Sequence, residues 1–198
     1  MVVENRILDP DAKLILEFAR GNTSAFEQIL KKYKGLVINI AYRFIQNRAE
    51  AEDIAQEVFL RIYDSAKRYN PKAKFSTWIY KITTNICLNR FRSKKYLQTV
   101  SLDKPISATG NEIIPELPDP TYVHPSVNTE KKELNQLVKE AVSSLPTNQR
   151  MVVILQKYEG LSYREISEIM GCSTSAVDSL LQRAKKNLKR KLAPHLKI

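Results

Sequence analysis

The chain is poor in the residues on which several common kinds of protein depend. Five glycines among 198 residues are too few for a turn-rich all-β fold. The two cysteines, Cys87 and Cys172, form no CxxC pair and have only His124 and His195 as possible companions. A zinc site or a disulfide framework is therefore not expected, and both cysteines are predicted to be small buried side chains.

Long apolar runs are also missing. No segment approaches the roughly 18 consecutive apolar residues of a membrane-spanning helix. The N-terminus carries acidic residues where a secretion signal needs a basic stretch followed by an apolar one. The sequence therefore predicts no membrane insertion and a cytoplasmic location.

Positive charge and helix-forming residues are abundant instead. Lysine and arginine number 32 against 21 aspartates and glutamates, which gives a formal charge of +11 and a pI near 9.6. This excess favours a polyanionic partner, nucleic acid before an anionic membrane, with a merely basic soluble protein as the alternative. The many good helix formers predict an all-α fold.

The balance of charge changes along the chain. Residues 1–95 hold 18 basic and 10 acidic side chains, a net +8, and residues 131–198 hold 13 and 6, a net +7. Residues 96–130 hold one basic and five acidic side chains, a net −4, together with five of the nine prolines. We therefore predict two basic helical domains, 1–95 and 131–198, joined by an acidic, proline-rich, extended linker at 96–130.

Four helices are predicted in the first domain. A short helix lies near 10–20, and a second begins at a capping box formed by Ser24 and Glu27. A third covers about 49–68 and a fourth about 75–95.

The second domain shows clearer helix boundaries. An amphipathic helix is predicted over about 134–145, and another between Pro146 and Gly160.

A helix-turn-helix is predicted at the end of the chain. Ser162 and Glu165 have the spacing of a capping box, and Gly171 is placed to end that short helix. Ser173 can cap a last, long helix that runs to about Leu192.

The last predicted helix has one apolar side and one polar side. Short polar and amide groups near the start of a helix can reach base edges, and cations further along can contact phosphates. We interpret this polar side as a DNA-reading surface; a solvated helix with a basic tail is the alternative. The candidate residues are Ser175, Ser179, Gln182, Arg183 and Lys186.

The third predicted helix carries a leucine within its polar side. Leu60 is surrounded by Asp53, Gln56 and Glu57, opposite a stripe of apolar residues. An isolated exposed leucine is ordinary, but a leucine ringed by acids and an amide is also typical of a small protein-docking site. The pattern leaves both interpretations open.

The fourth predicted helix combines an aromatic ring, amides and cations on one side. From Lys81 to Lys95 there are five cations and no acid. Aromatic rings can stack on unpaired bases while amides contact base edges, so this side favours single-stranded nucleic acid. A Trp78 partly buried at a domain edge is the alternative.

These segments together resemble the extracytoplasmic-function (ECF) class of bacterial RNA polymerase sigma factors. The resemblance is carried by DIAQEVFLRIY at 53–63, FSTWIYKI at 75–82 with Asn85, Leu145-Pro146, and GLSYREISEIM at 160–170. It covers roughly 20–95 and 131–192, with two independent motifs in the order and spacing of that family.

The resemblance implies a role for each segment. Asp53, Gln56, Glu57 and Leu60 would dock on the clamp helices of the largest subunit of core RNA polymerase, and the C-terminal domain would meet its flap. The fourth helix and the loop 69–74 would open the −10 promoter element and hold its non-template strand. The residues expected to contact this DNA are Phe75, Thr77, Trp78, Lys81, Asn85, Asn89 and Arg92.

The resemblance also implies the roles of the last helix and the linker, a further partner protein, and the absence of a cofactor. The last helix would read the −35 element, and the acidic linker would pass through the polymerase cleft. An anti-sigma factor and a stress or envelope response are expected, and no cofactor, metal or catalytic residue. One departure affects specificity: many relatives carry Arg where Asp178 stands, and an acid there repels phosphate although it can accept from cytosine N4.

Two other functions compete with this one. A stand-alone helix-turn-helix regulator would use residues 1–95 as a sensor, but a sensor does not require the basic side of the fourth helix. A nuclease would need clustered carboxylates or a histidine-based site. The dense acids Glu50, Glu52 and Asp53 instead fit the N-terminus of a helix.

Overall fold

The computed structural model describes residues 9–71, 74–100 and 129–195, with the side chains of 94–100 and 129–132 outside that description. Within these ranges the chain is helical and contains no β-strand, which confirms the predicted all-α class. None of the helices described is long and apolar enough to cross a lipid bilayer. The α-helices are α1 (Pro10–Ala19), α2 (Thr23–Ile45), α3 (Arg48–Ser65), α4 (Phe75–Val100), α5 (Thr129–Ser143), α6 (Thr147–Val153), α7 (Tyr163–Met170) and α8 (Thr174–Leu192).

Most of the predicted linker, 101–128, lies outside the described residues. Its two ends are helical, because α4 continues to Val100 and α5 begins at Thr129. The prediction of extended chain from residue 96 onward was therefore wrong for 96–100. These residues contain neither glycine nor proline, so nothing in them ends the helix.

The start of α2 also differs from the prediction. The helix begins at Thr23, and the residue before it, Asn22, makes no side-chain cap. Ser24 therefore lies inside the first turn, where its hydroxyl donates to Asn22 Oδ1 at 2.8 Å. The predicted capping box of Ser24 and Glu27 does not form.

The core of the N-terminal domain lies between α2, α3 and α4. Each helix contributes a stripe of apolar residues at helical spacing, as the sequence predicted for α3 and α4. The largest fully buried side chains here are Ile29, Ile40, Phe44, Ile54, Ile62, Phe75 and Ile79. Cys87 is buried among them, and burial raises the pKa of its thiol to about 12, whereas Cys172 is only partly buried.

The C-terminal domain contains the predicted helix-turn-helix. Ser162 and Glu165 cap each other at the start of α7, and Gly171 ends it in the left-handed conformation at φ 65°. The hydroxyl of Ser173 accepts from the Ala176 N–H at 3.2 Å and starts α8. A wider π turn at Ile154–Tyr158 extends α6.

The two domains pack against each other through α4. Met151 and Ile166 belong to the same buried cluster as the apolar residues of α4, and α7 lies along that helix. Polar contacts surround this apolar contact: the Tyr80 hydroxyl donates to Glu159 at 3.1 Å, and Lys139 donates to the Tyr42 hydroxyl at 2.9 Å. Burial, with Glu159 nearby, raises the pKa of Tyr80.

Arg150 ties the ends of two helices together at this contact. It is 7% exposed, and its guanidinium donates to the Phe44 carbonyl at 2.8 Å and to the carbonyls of Ser143 and Leu145. Phe44 and Ser143 lie in the last turns of α2 and α5, where carbonyls lack helical partners and attract cations. Its guanidinium also lies 5.2 Å from the centre of the Phe91 ring.

Arg150→Met should therefore lower the free energy of unfolding by about 2–4 kcal/mol, because two buried carbonyls and one part-buried carbonyl lose a charged donor. Urea denaturation followed by circular dichroism measures this loss. Arg164→Met on the exposed side of α7 serves as the control and should change stability by less than about 0.5 kcal/mol. Equal effects of the two substitutions would contradict the bridging role of Arg150.

The capping box of α7 predicts an acid-sensitive contribution to stability. Hydrogen bonds from the Ser162 backbone and hydroxyl lower the pKa of Glu165 from its ordinary value of 4.5. Because the folded pKa is depressed, the contribution is present above about pH 4.5 and is lost as the pH falls through the folded pKa. Urea midpoints of Glu165→Gln should fall less than those of the parent between pH 5 and about pH 3; identical pH profiles would rule this out.

Candidate nucleic-acid and protein interfaces

One side of α3 is exposed and mixes a leucine with polar groups. Leu60 is 63% exposed, the largest exposed fraction among the large apolar side chains described, and Asp53 and Gln56 are exposed beside it. These three residues form what we call the docking face. A single exposed leucine is ordinary, but Leu60 lines one groove together with the exposed Leu30 and Tyr63, and a contiguous apolar patch of this kind is typical of a docking site.

Glu57, which the sequence grouped with these residues, has different contacts. Its carboxylate accepts from Arg61 at 2.7 Å and from Arg90 of α4 at 3.0 Å, and it is half-buried. Glu57 therefore links α3 to α4 as well as bordering the docking face.

A groove of about 860 Å³ adjoins the docking face between α2 and α3. Its floor is apolar, and Lys31, Lys34 and Arg48 are among the residues that line it. Leu30 and Tyr63 also line it and are 38% and 53% exposed. Neither residue is among the candidates that the sequence pattern predicts. Both continue apolar stripes that the periodicity assigns to the core, and only their position at the edge of the packing leaves them exposed.

The polar side of α4 lies in solvent along much of the helix. Lys81, Asn85, Asn89 and Arg92 are all exposed and form what we call the α4 face. Their spacing of three to four residues places them on adjacent turns of one side.

The aromatic residues at the start of α4 are less exposed than predicted. Trp78 and Thr77 are half-buried, and the Trp78 ring lies 4.9 Å from Tyr69 and 5.6 Å from Phe75 between ring centres. Phe75 has no exposed surface, because its ring fills the core beside Tyr33. Its position does not support the predicted contact with DNA. Residues 72 and 73 of the loop 69–74 lie outside the described residues.

The polar side of α8 is exposed throughout the predicted residues. Ser175, Ser179, Gln182, Arg183 and Lys186 are all in solvent and form what we call the α8 face. Ser175 shares a hydrogen bond of 2.9 Å with the capping Ser173. Asp178 is exposed in the same stripe, so a carboxylate lies among the groups that would face a nucleic acid.

Family comparisons match both halves of the chain. Residues 29–96 match the sigma-70 region 2 family and residues 135–188 match sigma-70 region 4. The chain is 32% identical to the ECF RNA polymerase sigma factor SigW of Bacillus subtilis, over 91% of this chain and 95% of that protein. It is 28% identical to the ECF RNA polymerase sigma-E factor of Escherichia coli, over 93% and 95% of the two chains.

Solved structures share the fold. CnrH, in complex with the cytosolic domain of CnrY, superposes with a TM-score of 0.67 at 21% identity, covering 94% of this chain and 99% of that one. RpoE of Bartonella quintana, in complex with the anti-sigma factor NepR, gives 0.64 at 21% identity, covering 85% and 96%.

The helices that carry the docking face and the α4 face fall within region 2, and the helix-turn-helix falls within region 4. With the identity to SigW extending over nearly the whole chain, the protein belongs to the ECF sigma factors, the non-enzymatic subunits that direct RNA polymerase to specific promoters.

Proposed function

We propose that the three exposed surfaces divide promoter-specific initiation between them. The docking face binds core RNA polymerase, the α4 face captures the −10 element, and the α8 face reads the −35 element. The proposal rests on the exposure pattern of α4. This helix packs apolar side chains against both domains, and its remaining side presents a continuous strip of amides and cations to solvent.

The docking face and the groove fit a helical partner. A helix from the largest polymerase subunit can place apolar side chains in the groove and against Leu60, while Gln56 and Asp53 meet its polar flank. Lys31 and Lys34 favour acidic groups at the edge of that partner, whereas Arg48 is already paired with Glu52 at 2.7 Å. This surface therefore offers an apolar contact and also favours partners that carry negative charge.

The α4 face suits strand opening because it can capture bases as they leave the duplex. Losing one base-pair step costs about 1–2 kcal/mol, and stacking on an aromatic ring returns about 1–3 kcal/mol per base. The half-buried Trp78 offers part of one ring, Asn85 offers an amide to a base edge, and Lys81 and Arg92 contact phosphates. Capture of one or two bases is enough to balance the cost of opening.

The α8 face combines hydroxyl, amide and cationic groups in the order expected of a recognition helix. Gln182 can bond adenine in the major groove, and Arg183 and Lys186 can bond guanine or phosphate. Asp178 repels phosphate from part of this face and favours cytosine, so it contributes to the choice of −35 sequence.

Both DNA contacts together require the two domains to separate. The −10 and −35 elements are about 25 base pairs apart, which is about 85 Å at 3.4 Å per pair. Helix α4, with 26 residues, is about 39 Å long, and α8, with 19 residues, is about 28 Å long. Even end to end, the two helices that carry the DNA-contacting faces are shorter than this distance. We assign residues 1–95 and 131–198 as the separating domains. The 28 residues of 101–128 can reach about 90 Å when extended.

The chain works in the cytoplasm, where polymerase and promoters are found, and an anti-sigma factor restrains it until a stress or envelope signal arrives. Two structurally similar proteins were solved as complexes, one with the cytosolic domain of CnrY and one with the anti-sigma factor NepR, which supports this part of the proposal. The groove and the docking face offer such a partner a surface whose occupation excludes polymerase.

Leu60→Asp should weaken binding to core polymerase at least tenfold, because a central apolar contact can contribute about 2 kcal/mol. Fluorescence anisotropy of the labelled chain titrated with core polymerase measures this affinity. Leu134→Asp, at an apolar residue 48% exposed on α5, is the matched control and should bind as the parent does. If Leu60→Asp binds normally with unchanged helicity, the docking face is assigned to the wrong surface.

Asn85→Ala should reduce opening of the −10 element and relax its sequence preference, because an amide that contacts a base edge is lost. Lys81→Ala should weaken binding about equally on all sequences and reduce its salt dependence, because a phosphate contact is lost. Permanganate footprinting of −10 thymines, with holoenzymes at equal core occupancy, separates the two effects. If Asn85→Ala opens matched and mismatched sites as the parent does, Asn85 does not read bases.

A further inference from the structure

Asp9 joins the beginnings of two helices that are distant in the sequence. Its Oδ1 accepts from the Asp11 N–H at 3.2 Å and caps α1. Its Oδ2 accepts from the Phe75 N–H at 2.8 Å. Phe75 is the first residue of α4, so one carboxylate holds the N-termini of both helices.

Among the described residues at its start, α4 has no acidic side chain that can take this place. The residue before it is Lys74, whose ammonium group donates hydrogen bonds and cannot accept one. The first turn of α4 contains no acidic side chain. The Phe75 N–H therefore receives its acceptor from Asp9, and the positive end of the helix dipole receives a negative charge from the same carboxylate.

The surroundings of Asp9 connect this cap to Trp78. Phe75, whose N–H Asp9 holds, lies 5.6 Å from Trp78 between ring centres. Its ring also contacts Tyr33, whose hydroxyl donates to the buried Asp11 at 2.7 Å. Burial raises the pKa of Tyr69, the other ring against Trp78, and the nearby Asp9 carboxylate raises it further.

We propose that Asp9 is a positioning residue for promoter opening: by capping α4 from α1, it fixes where Trp78 and the α4 face meet the unpaired −10 bases. Asp9 lies outside residues 29–96, which match sigma-70 region 2. The proposal rests on the function proposed above for α4, but its structural half is testable without polymerase.

The first experiment uses the free, full-length chain. Trp78 is the only tryptophan of the sequence, so its emission and its quenching by acrylamide report on this site alone. Asp9→Ala should increase quenching and shift emission to the red. Asp9→Asn should remain close to the parent, because an asparagine oxygen also accepts at a helix N-terminus.

Asp11→Asn is the control for general loss of stability. Its carboxylate accepts from Lys32 and Tyr33 and holds α1 to α2 without touching the N-terminus of α4. It should lower the unfolding midpoint but change Trp78 quenching less than Asp9→Ala does. If both substitutions change quenching in proportion to the lost stability, Asp9 has only a structural role and the proposal is wrong.

The second experiment uses holoenzyme at equal core occupancy on a duplex promoter and on one whose −10 bases are unpaired beforehand. Asp9→Ala should lower duplex opening about fivefold, the effect of losing one helix cap, with core affinity unchanged and the defect largely absent on the unpaired template. Normal opening of the duplex by Asp9→Ala would overturn the proposal.

The two proposals fail in different ways. If Trp78→Ala opens the duplex as the parent does, the function proposed for α4 is wrong, whatever Asp9 does. If Trp78→Ala fails to open it while Asp9→Ala succeeds, α4 opens promoters and Asp9 does not position it.

Discussion

Helix α4 has to be buried on two sides while a third side stays in solvent, and the other helices are arranged around this requirement. Ile79 and Phe75 enter the core with α2 and α3, whereas Tyr80 and Thr84 face α6 and the end of its π turn. A helix turns about 100° per residue, so it can present three separate strips of side chains. The third strip is the α4 face. The packing of the two buried strips, one against α2 and α3 and the other against α6, sets the direction in which this face points.

The contact between the domains combines apolar and polar groups. It contains buried apolar residues, but it also contains the guanidinium of Arg150, helix-end carbonyls and the pair of Tyr80 and Glu159. If the domains part, these polar groups can form hydrogen bonds with water. Those bonds partly compensate for the hydrogen bonds lost between the domains. Contacts within a chain that are this polar commonly allow relative motion of domains. Such motion would allow the α4 face and the α8 face to reach separate promoter elements, as proposed above.

Much of this protein can be predicted from its sequence because its signals are local. The capping box of Ser162 and Glu165, the left-handed Gly171 and the cap at Ser173 each act within one helical turn, and the structure contains all three. The buried stripe of α3 and the apolar side of α8, of which Val177 and Ala184 are buried, follow from apolar periodicity alone, and so does the polar side of each helix. Local patterns failed at Ser24, where an alternative start one residue earlier moved the serine into the helix.

What only the tertiary structure decided concerns groups whose partners are distant in sequence. Phe75 belongs to a motif associated with DNA, yet its ring is buried, and Glu57 is held by Arg90 from another helix. Neither the cap that Asp9 supplies to α4 nor the carbonyls gathered by Arg150 follow from spacing, because 66 and 106 residues separate the bonded groups. The sequence determined which helices form and which sides are apolar, since both depend on near neighbours. Only packing brought together the charges and helix ends that orient those helices.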